Sequence, residues 1–145
     1  MYPGRVDEKG RLKLPAPFQA YLNAMPEKKL FVTSLDRRIA KIYPMPYWRE
    51  NEKILKHFRA NPRSAQILAF NANDLGADAE MDAQGRILLP QELRTELGVE
   101  NSTVRVMVNN GPIEIYSETM YREWKRMALE GSDQALAEVG TAGLL

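Results

Sequence analysis

The chain has 145 residues, 44% hydrophobic and 27% charged, and a formal net charge of +1; that suits one domain or two small interlocked halves and argues against a general nucleic-acid coat protein, which usually carries a large positive excess. Cysteine is absent, which rules out a disulfide framework and a thiolate zinc site. No apolar run approaches the roughly 20 residues of a membrane span and Met1–Arg5 lacks the apolar core of a signal peptide, so a cytoplasmic protein is expected.

Taken in order, Val6, Leu12 and Leu14 flank a polar Asp7-Glu8-Lys9-Gly10 turn, and Arg11-Leu12-Lys13-Leu14 alternates with the period of a half-buried strand. Gly10 supplies the positive φ that a short hairpin loop needs, and Asp7 can fold its carboxylate back onto loop amides. Pro15 and Pro17 stop the strand and lead into a short helix carrying Phe18, Tyr21 and Leu22. Leu30–Leu35 and Ile39–Tyr43 read as strands joined by a polar Asp36-Arg37-Arg38 turn. Pro46 opens a helix from about Tyr47 to Phe58, with Trp48, Leu55 and Phe58 along one face, and a second helix covers Arg63 to Phe70. Asn71–Gly76 is turn-rich and reads as a junction.

Beyond the junction the order repeats. A hairpin spans about Ala79–Leu89, a short helix Gln91–Leu97 ends at Gly98, and strands Thr103–Val108 and Ile113–Tyr116 follow across Asn109-Asn110-Gly111. A last helix, about Glu118–Leu129, carries Trp124 and Met127, and the small residues after Gly131 suggest a frayed tail. Asp7, Gly10, Arg11 and Pro15 recur as Asp82, Gly85, Arg86 and Pro90 at one offset (82 − 7, 85 − 10, 86 − 11 and 90 − 15 are each 75). The apolar pairs Leu12/Ile87, Leu14/Leu89, Phe18/Leu93 and Leu22/Leu97 keep that offset, and Ile42-Tyr43 matches Ile115-Tyr116 at 73. Each copy is near the size below which a single core is hard to close. The two are therefore expected to bury each other's apolar faces in one pseudo-twofold domain.

A strand–loop–strand with Asp-x-x-Gly-Arg-hydrophobic-x-hydrophobic-Pro, followed by a short helix and more strands, resembles the AbrB/SpoVT class of swapped-hairpin DNA-binding domains. Two such units in one chain are similar to the MraZ family of bacterial transcriptional regulators. The resemblance implies an α+β fold with a mainly β core: a first unit with its following helices over 1–70, a second over 77–130, and a flexible tail over 131–145. It also implies a ring-shaped homo-oligomer that binds double-stranded DNA in the nucleoid, at short G-rich direct repeats upstream of the division and cell-wall gene cluster. No cofactor, metal, membrane or small-molecule substrate is called for. The family signature Asp-x-x-x-Arg falls on Asp7…Arg11 and Asp82…Arg86, and its basic loop residue on Lys9, with Gln84 at the equivalent place. Family members usually carry a few more residues ahead of the first motif. Only Met1–Val6 precede Asp7, so either the first strand is short or the start lies inside the gene.

A hairpin tip projecting basic side chains suits the major groove, which admits a two-stranded ribbon. An arginine fork donates to guanine O6 and N7 together, worth about 1–3 kcal/mol of discrimination. A carboxylate four residues earlier can orient it, while Lys9 offers a point charge to phosphate or a base edge. The candidate DNA contacts are Arg5, Lys9, Arg11, Lys13 and Arg86, with Asp7, Gly10, Asp82 and Gly85 shaping the turns. Residues 5–13 carry four cations and two acids (4 − 2 = +2) and residues 80–88 one cation and two acids (1 − 2 = −1), with Leu88 in the place of Lys13. Copy one is thus expected to make the principal contacts, with Arg86 assisting and copy two serving packing or subunit contact.

Two rivals stand beside this reading: an antitoxin-like swapped-hairpin protein that also neutralises a toxin, and a ring-forming scaffold without base readout. His57 reads as a surface residue, Glu50 and Glu52 as part of a solvated charged face with Arg49, Lys53 and Lys56. Trp48 and Trp124 read as core anchors and Arg37-Arg38 as a solvated turn. No Ser/His/Asp grouping, phosphate-cradling glycine loop or metal-ligand spacing appears in the sequence, so an enzyme is not expected.

Overall fold

The computed structural model describes residues 1–144. In the first copy β1 (Tyr2–Val6) and β2 (Arg11–Lys13) flank the first turn, followed by α1 (Ala16–Asn23), β3 (Leu30–Thr33), β4 (Ala40–Pro44), α2 (Met45–His57) and α3 (Pro62–Leu75). The second supplies β5 (Ala77–Ala79), β6 (Arg86–Leu88), α4 (Gln91–Leu97), β7 (Thr103–Val108), β8 (Ile113–Ser117) and α5 (Glu118–Gly140). The strands join in one antiparallel sheet ordered β5-β3-β4-β8-β7-β1-β2-β6, whose end strands are consecutive in the chain, so the sheet nearly closes on itself. The fold is α+β with a mainly β core.

The register carries the twofold relation implied by the repeat. The first strand of each copy pairs with the third strand of the other, β1 on β7 and β5 on β3, while β1 also keeps its pairing with β2. Equivalent strands then meet each other, β2 with β6 and β4 with β8. The partners Leu12↔Ile87 and Lys41↔Glu114 join equivalent residues, which places both on the local axis. Leu12 and Ile87 are fully buried there, in one continuous core with Val6, Leu14, Leu89, Leu93, Val104, Val106 and Ile115. At the other axial pair, Lys41 Nζ lies 3.4 Å from Glu114 Oε2, with Glu114 7% exposed at its side chain. Two identical chains would set lysine against lysine at this point, a destabilising like-charge pair. Duplication within one chain lets the two sides diverge into opposite charges.

Local chemistry sets most element ends. Prolines precede α1, α2 and α4, with fixed φ values of −59°, −54° and −57° that turn each strand exit into a helix start. Asn61 Oδ1 accepts from Ser64 N at 3.3 Å to open α3, and Ser117 Oγ accepts from Met120 N at 3.1 Å to open α5.

Several expectations are corrected. The turn-rich Asn71–Leu75 is helical, because its polar side chains have distant partners: Asn71 donates to the Leu35 carbonyl at 2.7 Å, and Arg37 donates to Asn71 Oδ1 at 2.9 Å and Asp74 Oδ2 at 2.7 Å. Arg37, at φ 60°, also donates to Glu96 at 2.7 Å, so it clasps α3 to α4 and is no merely solvated turn residue. β5 ends at Ala79 and pairs with β3 and not with β6, so the second turn lacks the long ladder of a simple hairpin. Phe58 lies past the end of α2 and is exposed, leaving Trp48 as that helix's anchor, stacked on Phe31 at 4.5 Å. α5 does not end near Leu129: it continues through Gly131 to Gly140, since Gln134–Val139 are mostly good helix formers and one internal glycine costs only about 1 kcal/mol. Trp124 is 50% exposed on that helix and anchors no core.

Candidate nucleic-acid interface

Both motif turns are built alike. Asp7 Oδ1 accepts from the backbone N–H of Lys9 and of Arg11, each at 2.9 Å, while Oδ2 accepts from Arg11 Nε at 3.1 Å. Asp82 does the same with Gln84 N, Arg86 N and Arg86 Nε, all at 2.9 Å. The Arg11 amide, as first cause, holds the Asp7 carboxyl below the usual carboxylate range, and the Arg86 amide does so for Asp82. Each aspartate therefore stays ionised, shapes its loop and grips its arginine by Nε. Among the described residues no hydrogen bond engages the Nη groups of Arg11 or Arg86. That leaves in each case a fixed pair of donors of the kind that matches guanine O6 and N7.

The turns are also locked to each other across the local axis. Leu14 N donates to the Gly85 carbonyl at 3.0 Å and Leu89 N to the Gly10 carbonyl at 2.9 Å. Gly10 sits at φ 84° and Gly85 at φ 76°. A Cβ on Gly10 would overlap the guanidinium of Arg94, and one on Gly85 the carboxamide of Gln19. Gln19 and Arg94 are themselves equivalent (94 − 19 = 75). Each copy's helix thus seats one polar side chain beneath the other copy's turn. The seats differ in charge. Arg94 is only 12% exposed at its side chain, pairs with Glu100 at 3.0 Å and donates to the Lys9 carbonyl at 3.3 Å. Gln19 donates to the Leu14 carbonyl at 2.7 Å and is neutral. Arg94 and Gln19 are absent from the sequence-derived candidates; the constant offset, applied to polar residues on the short helices, is the signal that finds them.

The remaining candidates converge on the outer face of the sheet. Arg5 stands opposite Lys13 on β1 and β2, and Lys13 opposite Arg86 on β2 and β6. Directly paired residues share a face, and the next row, Val6, Leu12 and Ile87, points into the core. Three cations from three strands therefore form one row about 10 Å long at the usual strand spacing. Arg5 Nη2 is steadied by Asn101 Oδ1 at 2.9 Å, and Lys13 Nζ reaches the Gln84 carbonyl. Arg11 lies on the same face opposite Leu88, which is 57% exposed. Lys9 is exposed at the tip of the first turn. Arg86 belongs by sequence to the acidic copy but by register to this basic row.

Among the described residues no helix is long and apolar enough to cross a membrane. Residues 76–139 match a family model described as "MraZ protein, putative antitoxin-like". Over nearly its full length the chain is similar to proteins named "Transcriptional regulator MraZ". It is 39% identical over 143 residues to one from Acidobacterium capsulatum, covering 96% of each chain. Identity is 36% over 142 residues to one from Moorella thermoacetica, covering 94% of this chain and 92% of that one. A third, from Herpetosiphon aurantiacus, is 35% identical over 140 residues, covering 94% and 90%.

Proposed function

The chain belongs to the MraZ family, and from that premise we propose that it is a DNA-binding transcriptional regulator that reads DNA with the outer face of β1, β2 and β6 and their two turns. The observation that carries this reading is the row of Arg5, Lys13 and Arg86. Like charges set directly opposite one another weaken a sheet, and a polyanion laid across the row removes that penalty. Arg5 and Lys13 serve phosphate, which positions the duplex without reading sequence. Arg11, its Nε fixed by Asp7, presents its free donors to guanine, and Arg86 adds a second fork on the same face. The first turn leads, because Lys9 stands at its tip and Arg94 lies beneath it, whereas Gln84 and Gln19 hold those places at the second.

The finer form of the proposal is recognition of short G-rich direct repeats by a homo-oligomeric ring bound at the nucleoid. One such face per subunit is a weak binder; tandem sites met by linked subunits gain about 10²–10⁴-fold where geometry permits. The test is an anisotropy titration with duplexes carrying G-rich direct repeats and with shuffled duplexes, across a salt series. The proposal expects tighter binding to the repeats at every salt and a log–log slope of about −0.9 for each phosphate neutralised. Equal affinity for both duplexes overturns base reading; no binding at low salt overturns the DNA role.

A further inference from the structure

The outer face of β2 and β6 carries a square of four side chains around the local axis. Arg11 stands opposite Leu88 and Lys13 opposite Arg86, with Leu12↔Ile87 between them on the axis. Rotation about that axis exchanges Arg11 with Arg86 and Lys13 with Leu88, since 86 − 11 and 88 − 13 are both 75. One diagonal of the square is therefore arginine with arginine, each held at Nε by its own aspartate. The other sets a cation against an apolar side chain. The inequality extends outward: Arg5, beside Lys13, has Glu80 as its equivalent (80 − 5 = 75), and Lys9 has Gln84 (84 − 9 = 75).

Leu88 is 57% exposed, and its neighbours on this face are Arg11 across the ladder and Arg86 two residues back. An apolar side chain in that setting gains nothing from phosphate. A duplex laid on the face offers it one apolar partner, because among the base-edge groups of the major groove only the C5-methyl of thymine neither donates nor accepts a hydrogen bond. Arg11 and Leu88 are directly paired, so their Cβ atoms lie about 5 Å apart, on the order of one or two base steps of about 3.4 Å. A guanine met by Arg11 and a methyl met by Leu88 thus belong to adjacent or next-adjacent base pairs.

We infer that Leu88 is a specificity-determining residue that packs on the C5-methyl of a thymine beside the guanine read by Arg11, while Lys13, its counterpart across the axis, serves phosphate. Arg11 and Arg86 alone would read a site equally well in either direction, since the axis exchanges them. Leu88 on one side and Lys13 on the other make the two directions unequal. The face then selects the direction of its site as well as the guanines in it. This rests on the DNA reading proposed above and names a further base that the face selects.

Replacing thymine by deoxyuridine removes the methyl and leaves the hydrogen-bonding groups of the base in place, which makes the test direct. The full-length chain is titrated by anisotropy with G-rich direct-repeat duplexes that have an A·T pair on each side of every guanine run. One duplex is unmodified, one carries deoxyuridine at those flanking pairs, and one carries it only between the repeats. Wild type should bind the flank-substituted duplex at least about threefold more weakly, the value of one buried methyl, and the spacer-substituted duplex as well as the unmodified one. Leu88→Ala and Leu88→Lys, both at an exposed position, should lose that difference and keep the preference for repeats over a shuffled duplex. Equal affinity of wild type for the unmodified and flank-substituted duplexes, with that preference intact, overturns the thymine contact and leaves the guanine reading standing. Equal weakening by the spacer substitution, or a methyl effect that survives in both variants, also overturns the inference. So does dissociation of the variants in native mass spectrometry where wild type stays assembled, since it makes Leu88 a subunit contact. No preference of wild type for the repeats overturns the base reading proposed above and this inference with it.

Discussion

The seat beneath the first turn makes a quantitative prediction for Gly10→Ala. Gly10 and Gly98 share a left-handed backbone, at φ 84° and 69°, but differ in surroundings. A Cβ on Gly98 meets no heavy atom within 4 Å, so Gly98→Ala carries only the backbone penalty, about 1–2 kcal/mol. Gly10→Ala carries the same penalty and must also expel Arg94, which is 12% exposed, pairs with Glu100 at 3.0 Å and donates to the Lys9 carbonyl at 3.3 Å. Breaking those bonds adds roughly 1–2 kcal/mol, for a total of about 2–4 kcal/mol. Urea denaturation of Gly98→Ala, Gly10→Ala, Arg94→Ala and the Gly10→Ala/Arg94→Ala double variant measures this. Once Arg94 is gone, Gly10→Ala should fall to the Gly98→Ala value, a coupling of about 1–2 kcal/mol. Equal costs for the two glycines, or strict additivity in the cycle, would refute the cross-copy seat.

Other consequences follow from burial and charge. Asn71→Ala removes the donor to the Leu35 carbonyl and the acceptor for Arg37 at a buried position, and should lower unfolding free energy by about 1–3 kcal/mol; a loss below about 0.5 kcal/mol, on the order of a plain surface change, would refute its role in holding the end of α3. Trp48→Ala should cost about 3–5 kcal/mol, whereas Trp124→Ala, half exposed, should cost only about 1–2 kcal/mol; thermal or urea unfolding of the pair checks the contrast, and similar costs would sink it. Asp7 and Asp82 have depressed pKa values in the fold, so they contribute stability above the unfolded pKa of about 3.9, and it is lost as pH falls through the lower folded values. Thermal midpoints should therefore drop more steeply below about pH 4 in the wild type than in Asp7→Asn/Asp82→Asn; parallel curves would count against the turn geometry.

The duplication was legible because its marks are local chemistry: a positive-φ glycine, a capping aspartate and a strand-ending proline recur at fixed spacing. Those residues also disclosed the turns, the Asp–Arg grip and most of the basic candidates. What was not legible depends on partners far along the chain. Asn71 and Asp74 read as turn formers until Arg37 and Glu96 are brought to them. Ala77-Asp78-Ala79 alternates, but over three residues and with only small apolar side chains, and the pairing with β3 makes it a strand. Arg86 looked like the weaker copy's arginine; the Lys13↔Arg86 register moves it onto the face of the first copy. Trp124 looked like core because large aromatics usually are, and nothing local says that α5 runs past the sheet.

The central claim is that the Arg5–Lys13–Arg86 row is kept for DNA and not for the fold. Salt-dependent titration of Arg5→Gln/Lys13→Gln/Arg86→Gln against the same G-rich duplex, with urea denaturation in parallel, tests it most directly. The predicted result is a log–log salt slope shallower by about 0.9 for each phosphate no longer neutralised, together with a stability change of no more than about 1 kcal/mol, as relief of the like-charge repulsion offsets loss of the Arg86–Asp82 and Arg5–Asn101 contacts. An unchanged slope and affinity, or a fall in stability of several kcal/mol, would contradict it.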